Sequence, residues 1–298
     1  MRHLGLRYEG PIYRPPSEAH SLLVQATVGC PHNLCTFCTV YKGDRAIKFR
    51  IRSVQEIKED IGKACEVLGS SVRTVFFPAG NTIIMKTDDL VEILEYTSAL
   101  FPRLERITIY ASSQYVARKG FEDMKRLADA GLSRVHVGLE SGDDETLLRI
   151  RKGSTSAIQI EAGKITINAG IELNTYIMLG IGGKERSEQH VRETIRVLNE
   201  IDPNVVRLRT FLPKVDTPIL KEIENQNFTI LTPHEVLQET YDIIRSLDVS
   251  SEVTSDHYTN YIDVHGNLPE DRNMMLRTIE KAKKRNEGSF RPVYLGDQ

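Results

Sequence analysis

Short apolar runs alternate along this chain with longer stretches in which apolar positions recur every three or four residues. Runs of the first kind predict buried strands and stretches of the second kind amphipathic helices. The first strand is expected over 21–28, where Leu22, Leu23, Val24, Ala26 and Val28 crowd together. Ser53-Val54-Gln55-Glu56 then offers a hydroxyl and, three residues on, a carboxylate, the capping box that opens a helix. Val54, Ile57, Ile61, Ala64, Cys65 and Leu68 mark one face of that helix, which is expected to end near Gly69. Further strands are expected over 72–77, 106–110, 134–139, 172–179 and 205–211. Between them, Thr87 is expected to cap a helix running to about Leu100, and another covers 121–130 before Gly131. Helices from Asp143, over 155–169 and from the Ser187 cap to Glu200 come next, and Thr232-Pro233-His234-Glu235 opens one with proline at its first position.

Six such β–α repeats imply an α/β fold, a parallel sheet with crossover helices on its outer face. Eight units close a barrel. Six predict an open partial (β/α)6 barrel, with catalytic groups at the carboxyl ends of its strands. Residues 1–20, rich in proline, are expected as an extended lead-in to a barrel domain over 21–250. Residues 251–298 break the alternation and are expected to cap the barrel, with a helical tail over 269–285.

Composition narrows the partners. Of 298 residues 40% are hydrophobic and 27% charged, as in ordinary globular proteins, and the net charge of −2 lacks the basic excess that drives non-specific nucleic-acid binding. No apolar run approaches the roughly 20 residues of a membrane span. The first residues carry no apolar secretory segment, so a cytoplasmic location is expected.

Chemistry concentrates in Val28-Gly29-Cys30-Pro31-His32-Asn33-Leu34-Cys35-Thr36-Phe37-Cys38, which holds three of the four cysteines at C-x4-C-x2-C spacing. Clustered thiols point to a metal site in a reducing compartment. Three readings compete. A zinc site would recruit a fourth ligand such as His32. A [2Fe–2S] electron-transfer or sensor protein would use Cys65 as its fourth ligand. A [4Fe–4S] cluster held by three cysteines would leave one iron open. The helical spacing around Cys65 favours the last, because it makes that residue a small core hydrophobe.

The glycine–cysteine loop with Phe37 before its last cysteine, following the first strand of a six-fold β–α repeat, resembles the radical S-adenosylmethionine (radical SAM) superfamily. Gly138-Leu139-Glu140-Ser141-Gly142 and Lys152-Gly153-Ser154-Thr155 resemble its branch of elongator-type and methylthiotransferase-type enzymes. The likeness covers roughly residues 21–247. The commonest spacing in that superfamily is C-x3-C-x2-C, so the extra residue between Cys30 and Cys35 marks a variant loop.

The resemblance implies that Cys30, Cys35 and Cys38 hold a [4Fe–4S] cluster whose open iron binds S-adenosylmethionine. Reductive cleavage of that cofactor then yields methionine and a 5′-deoxyadenosyl radical, which takes hydrogen from a small substrate. It also implies an external one-electron donor such as a flavodoxin or ferredoxin. Phe37 matches the aromatic near the adenine. Pro78, Ala79 and Gly80 stand where a glycine-rich stretch meets the cofactor's amino group, without the usual Gly-Gly-Glu. Ser112 and Ser113 fall where hydroxyls meet its polar edge, and Glu140 where a carboxylate takes the ribose hydroxyls. Lys152, or its neighbour Arg151, replaces the usual arginine for the cofactor carboxylate. Ile177 to Gly183, with Gly180 among them, resemble the segment lining the adenine, and Leu212-Pro213 with Asp216, Thr217 and Pro218 the loop closing that pocket. A single cluster argues against methylthiolation, in which a second cluster donates sulfur, unless a partner subunit brings one.

Substrate contacts are less marked. His136, on the face of Gly138 and Glu140, reads as a satisfied core histidine. Arg207 and Arg209 share one strand face; inward they suit an anionic substrate, and outward they would meet helix carboxylates. His257, Tyr258 and Tyr261 either line the mouth or pack.

Overall fold

Ser53 opens its helix as the capping box requires. In the computed structural model, which describes residues 5–43, 46–214 and 217–292, Glu56 N–H donates to the Ser53 hydroxyl at 3.2 Å. Ser53 N–H donates back to the Glu56 carboxylate at 3.0 Å. The elements run in chain order as β1 (Leu22–Leu23), β2 (Thr27–Val28), β3 (Arg50–Ile51), α1 (Val54–Leu68), β4 (Thr74–Phe77) and α2 (Thr87–Leu100). Then come β5 (Arg106–Ala111), α3 (Ser113–Asp129), β6 (Leu132–Glu140), α4 (Asp144–Arg149), α5 (Ser156–Asn168), β7 (Glu172–Leu179) and α6 (Gly183–Ile201). The last are β8 (Val205–Thr210), α7 (Pro218–Glu224), α8 (Pro233–Ser246), β9 (Glu252–Thr254), β10 (His265–Asn267) and α9 (Arg272–Lys283). An eight-stranded sheet has the order β1-β4-β5-β6-β7-β8-β9-β10. The pairs β1–β4, β4–β5, β5–β6, β7–β8 and β8–β9 are parallel, and β10 closes the series antiparallel to β9.

Several expectations need correction. The first strand is broken: β1 pairs with β4, while β2 leaves the main sheet to pair antiparallel with β3. Thr87 lies inside α2 rather than capping it, and its hydroxyl accepts from Lys119. The helix placed over 121–130 starts at Ser113, interrupted by Gly120 in a conformation (φ 73°, ψ 178°) that glycine tolerates. Ser187 lies within α6, just past a non-helical Arg186, and donates to Glu239 instead of capping. The tail adds β9 and β10 to the sheet, and α7 was not foreseen.

Two compact units divide the chain: Met1–Asn33, Val40–Val137 and Lys164–Leu173 form one, and Leu34–Thr39, Gly138–Gly163 and Asn174–Gln298 the other. In the first, the lead-in is anchored from below the strands. Glu18, in a 3-10 turn (Pro16–Glu18), is fully buried and accepts from Ser21 Oγ at 2.5 Å and Thr108 Oγ1 at 3.1 Å. Arg106 and Arg134 approach at 3.4 and 3.6 Å, and His136 Nε2 at 3.4 Å. His136 is thus a fully buried, engaged core residue, with Phe76 and Tyr110 rings beside it. Burial alone would raise the Glu18 pKa, yet hydrogen bonds from His136 and Ser21 and the Arg106 charge hold it at about 2.

A carboxylate depressed in the folded state stabilises it above the unfolded pKa, and the gain is lost as pH falls through the folded one. For Glu18 that window runs from about 4.5 down to about 2 and is worth at most about 3 kcal/mol. Urea midpoints should therefore fall more steeply across this range in wild type than in Glu18→Gln. Equal slopes would remove Glu18 from the acid response.

In the second unit, α8 begins with its own capping box, Thr232 and Glu235, behind a proline at its first position. Ile243 and Ile244 are fully buried, as are Val206 and Leu208 of β8.

Candidate active site

The cysteine loop leaves β2 through Gly29; Cys30 belongs to the first unit, Cys35 and Cys38 to the second. All are unbridged and partly exposed.

In the first unit, the turn after β4 lies against the loop's start. Gly80 N–H donates to Gly29 O at 3.1 Å. A Cβ at position 80 would stand 2.5 Å from that oxygen and 2.7 Å from Cys30 Cα, so glycine is what lets the two backbones touch. Pro78 and Ala79 are buried, and Ala79 holds φ +87°, a left-handed conformation that costs an alanine about 1–3 kcal/mol. Asn33 N–H donates to Cys30 Sγ at 3.4 Å, while Asn33 Nδ2 donates to Tyr41 O at 3.1 Å.

Beside Gly80, buried Asn81 donates through Nδ2 to Ser112 Oγ. Ser112 precedes α3 without capping it through its side chain, and Ser113 is buried in the first turn. Asn81 Oδ1 is buried with no hydrogen-bond partner, and so is Gln114 Oε1. Two orphaned acceptors at the carboxyl ends of β4 and β5 are costly unless a donor arrives. Sequence reasoning passed over both residues, because a single amide after a strand carries no pattern.

In the second unit, backbone bonds fix the rest of the loop: Thr36 N–H donates to Ile150 O at 2.9 Å, and Ile219 N–H to Thr36 O at 3.2 Å. Phe37 packs on a buried cluster that includes Leu147, Met178 and Phe211. Lys152 Nζ meets Glu140 Oε1 at 2.9 Å, with both side chains 12% exposed. Burial works against the Lys152 charge, but Glu140 and the sulfurs of Cys35 and Cys38 prevail and raise its pKa. Glu140 ends β6 at φ +66°, and a Cβ on Gly138 would collide with its folded-back carboxylate. Arg151 is exposed, so Lys152 is the inward cation of the two.

After β7, Gly180 turns at φ +77° and its N–H donates to Glu239 Oε2 at 2.7 Å, one of two donors to that carboxylate with Ser187 Oγ at 2.6 Å. Burial pushes Glu239 up to about 7 despite both donors. Ser141 Oγ lies 2.8 Å from His190 Nδ1, and burial lowers that imidazole to about 4. This buried support for the β7 turn went unread in the sequence, since its members lie on β6, α6 and α8 with no local signature. Ile177 is buried in β7, Leu212 half-buried after β8, and Asp216 lies outside the described residues. Arg207 pairs with Asp256 of the tail rather than with a helix carboxylate. Tyr261 packs edge-on against Phe290.

Cys65 sits on α1, only partly buried, with Sγ 3.6 Å from Leu100 O. Among the described residues no three His, Cys, Asp or Glu side chains are already gathered in a metal-holding group.

Residues 24–198 match the family model described as the Radical SAM superfamily. The chain belongs to that superfamily. Among solved structures it is similar to coproporphyrinogen III oxidase (HemN) from Escherichia coli (TM-score 0.56, 15% identity, 93% of this chain and 62% of that one). It is also similar to methylornithine synthase, PylB (TM-score 0.52, 19% identity, 90% and 83%). These likenesses agree with the partial-barrel fold. A curated relative, 4′-phospho-dehydrooxetanocin synthase of Priestia megaterium, is 24% identical over 61% of this chain. The chain spans only about a quarter of that protein, 27% of its length.

The chain thus belongs to a superfamily of enzymes that use a [4Fe–4S] cluster and S-adenosylmethionine. The residues present fit such groups. Three unbridged cysteines supply soft donors, and the orphaned Asn81 and Gln114 oxygens want a hydrogen-bond donor. No helix among the described residues is long and apolar enough to cross a membrane.

Proposed function

We propose that Cys30, Cys35 and Cys38 carry one [4Fe–4S] cluster with an open iron, and that this radical SAM enzyme acts on a small molecule. What supports the reading most is how the four sulfurs are divided. Three lie on one loop, while Cys65 is committed to helix α1 and the Leu100 carbonyl. When bound, the cluster and cofactor supply reductive C5′–S cleavage, giving methionine and a hydrogen-abstracting 5′-deoxyadenosyl radical.

The chain's own residues bind and orient. Phe37 is assigned to the adenine, Glu140 to the ribose hydroxyls and Lys152 to the cofactor carboxylate. Backbone at Pro78, Ala79 and Gly80, the oxygen of Asn81, and Ser112 and Ser113 serve the amino group and polar edge; Ile177, Gly180 and Leu212 enclose the base. Arg151, being exposed, is the weaker partner. Residues 21–250 would form the catalytic domain, with 1–20 and 251–298 appended. The electron donor is assigned to the flavodoxin or ferredoxin class. The Gly138–Gly142 and Lys152–Thr155 stretches favour the elongator-type branch, as does a likeness to an archaeal Elp3 (TM-score 0.50, 13% identity). The name of the curated relative suggests a phosphorylated small substrate.

Anaerobic reconstitution should load about four irons per chain, and dithionite with S-adenosylmethionine should release 5′-deoxyadenosine. Iron uptake without cofactor cleavage would overturn the reading. Cys65→Ala should keep its full iron content; loss of the cluster in that variant would favour a [2Fe–2S] protein instead.

A further inference from the structure

β8 presents an unusual pair of charges. Arg207 and Arg209 lie on one strand face, in register with Tyr176 and Met178 of β7, while Val206 and Leu208 on the other face are fully buried. Arg207 is 6% exposed; it pairs with Asp256 and stacks over the Tyr176 ring at 5.9 Å. Among the described residues no carboxylate pairs with Arg209, and its buried Nε has no acceptor. A buried guanidinium N–H without an acceptor is an expensive arrangement unless something else fills the position.

The segment after β9 is pinned beside it. Asn260 donates to Leu208 O at 2.9 Å and to Ser255 O at 2.6 Å, and it accepts from Thr210 N–H at 2.7 Å. That clamp sets His257 near the arginines. Burial, then the charges of Arg209, Arg207 and Lys214, lower the His257 pKa to about 3, so the ring is neutral at pH 7. Thr259 N–H donates to Nδ1 at 3.3 Å, which makes Nδ1 the acceptor and leaves Nε2–H as a donor. The His257 ring lies 4.4 Å from that of Tyr258, which is 66% exposed.

From this geometry we infer that Arg209, with Arg207, Lys214 and the Nε2–H of His257, binds an anionic group of the small-molecule substrate at the carboxyl ends of β8 and β9. The surplus of cations over Asp256 alone selects a negative ligand, and a guanidinium fork suits a phosphate or a carboxylate. Its position, where ligands gather in parallel sheets, makes it part of the substrate site and not a surface patch. The inference deepens the proposed function and rests on it, but it can be tested without any cofactor cleavage.

The test is binding of inorganic phosphate, and separately of acetate, to the full chain as purified, followed by calorimetry at low ionic strength. Wild type should bind one of the two saturably, and which one names the group. Arg209→Gln should weaken that binding about tenfold or more, as expected for loss of a charged hydrogen-bonding partner. Arg209→Lys, which keeps the charge, should bind more tightly than Arg209→Gln, and Arg192→Gln on the exposed side of α6 should match wild type. Thermal denaturation of each variant reports its fold. Absence of saturable binding in wild type, or equal binding in wild type and a folded Arg209→Gln, would overturn the site. Either result leaves 5′-deoxyadenosine release as an independent test of the enzyme.

Discussion

Cys35→Ala is expected to abolish 5′-deoxyadenosine formation while leaving the chain folded. Its sulfur is partly exposed, and Thr36 and Ile219 hold this part of the loop through backbone bonds. If the three cysteines are the ligands, as proposed, deleting one thiolate leaves two for a cluster that already has an open iron, too few to retain it. Cys65 cannot substitute, because it belongs to helix α1 and lies against Leu100 O. The measurement is iron content and cofactor cleavage after anaerobic reconstitution, with far-ultraviolet circular dichroism for the fold. Retained cleavage in the alanine variant would remove Cys35 from the ligand set.

The second large effect is on stability. Lys152→Met should destabilise the enzyme by about 3–5 kcal/mol, the cost of stranding one partner of a buried ion pair. Lys152 and Glu140 are each 12% exposed and 2.9 Å apart. With the cation gone, the Glu140 carboxylate would be left largely buried without its counter-ion. Lys152→Met with Glu140→Leu removes both charges and should be milder than the single change. Equal denaturation midpoints for wild type and Lys152→Met would show that the pair is solvated in solution.

Local signals in the sequence located most elements. The capping box at Ser53, the helix opening at Thr232 with its proline, and the apolar run over 172–179 are local features, and each appears where its pattern puts it. Thr87 and Ser187 misled because a hydroxyl near a helix start also serves tertiary partners, here Lys119 and Glu239. The strand over 21–28 broke because Val24 to Ala26 must turn the chain from one sheet to another, which hydrophobicity does not record. β9 and β10 are three residues each, too short to show a period. The cysteine loop and Glu140 stood out as candidates because superfamily motifs are contiguous. Asn81, His190 and Glu239 were not, since their meaning comes from neighbours distant in sequence. Glu18 shows the same limit: its partners Thr108, Arg134 and His136 come from other strands.

The antiparallel β10 has a consequence for solution behaviour. A parallel sheet that ended at β9 would present a row of open amides and carbonyls to which another copy could add a strand. Instead the border is three residues long, His265 and Asn267 point outward, and the chain turns at once into α9. So brief a margin offers little template for intermolecular pairing, which favours recovery of disperse protein from dilute refolding even where the iron centre has not been assembled.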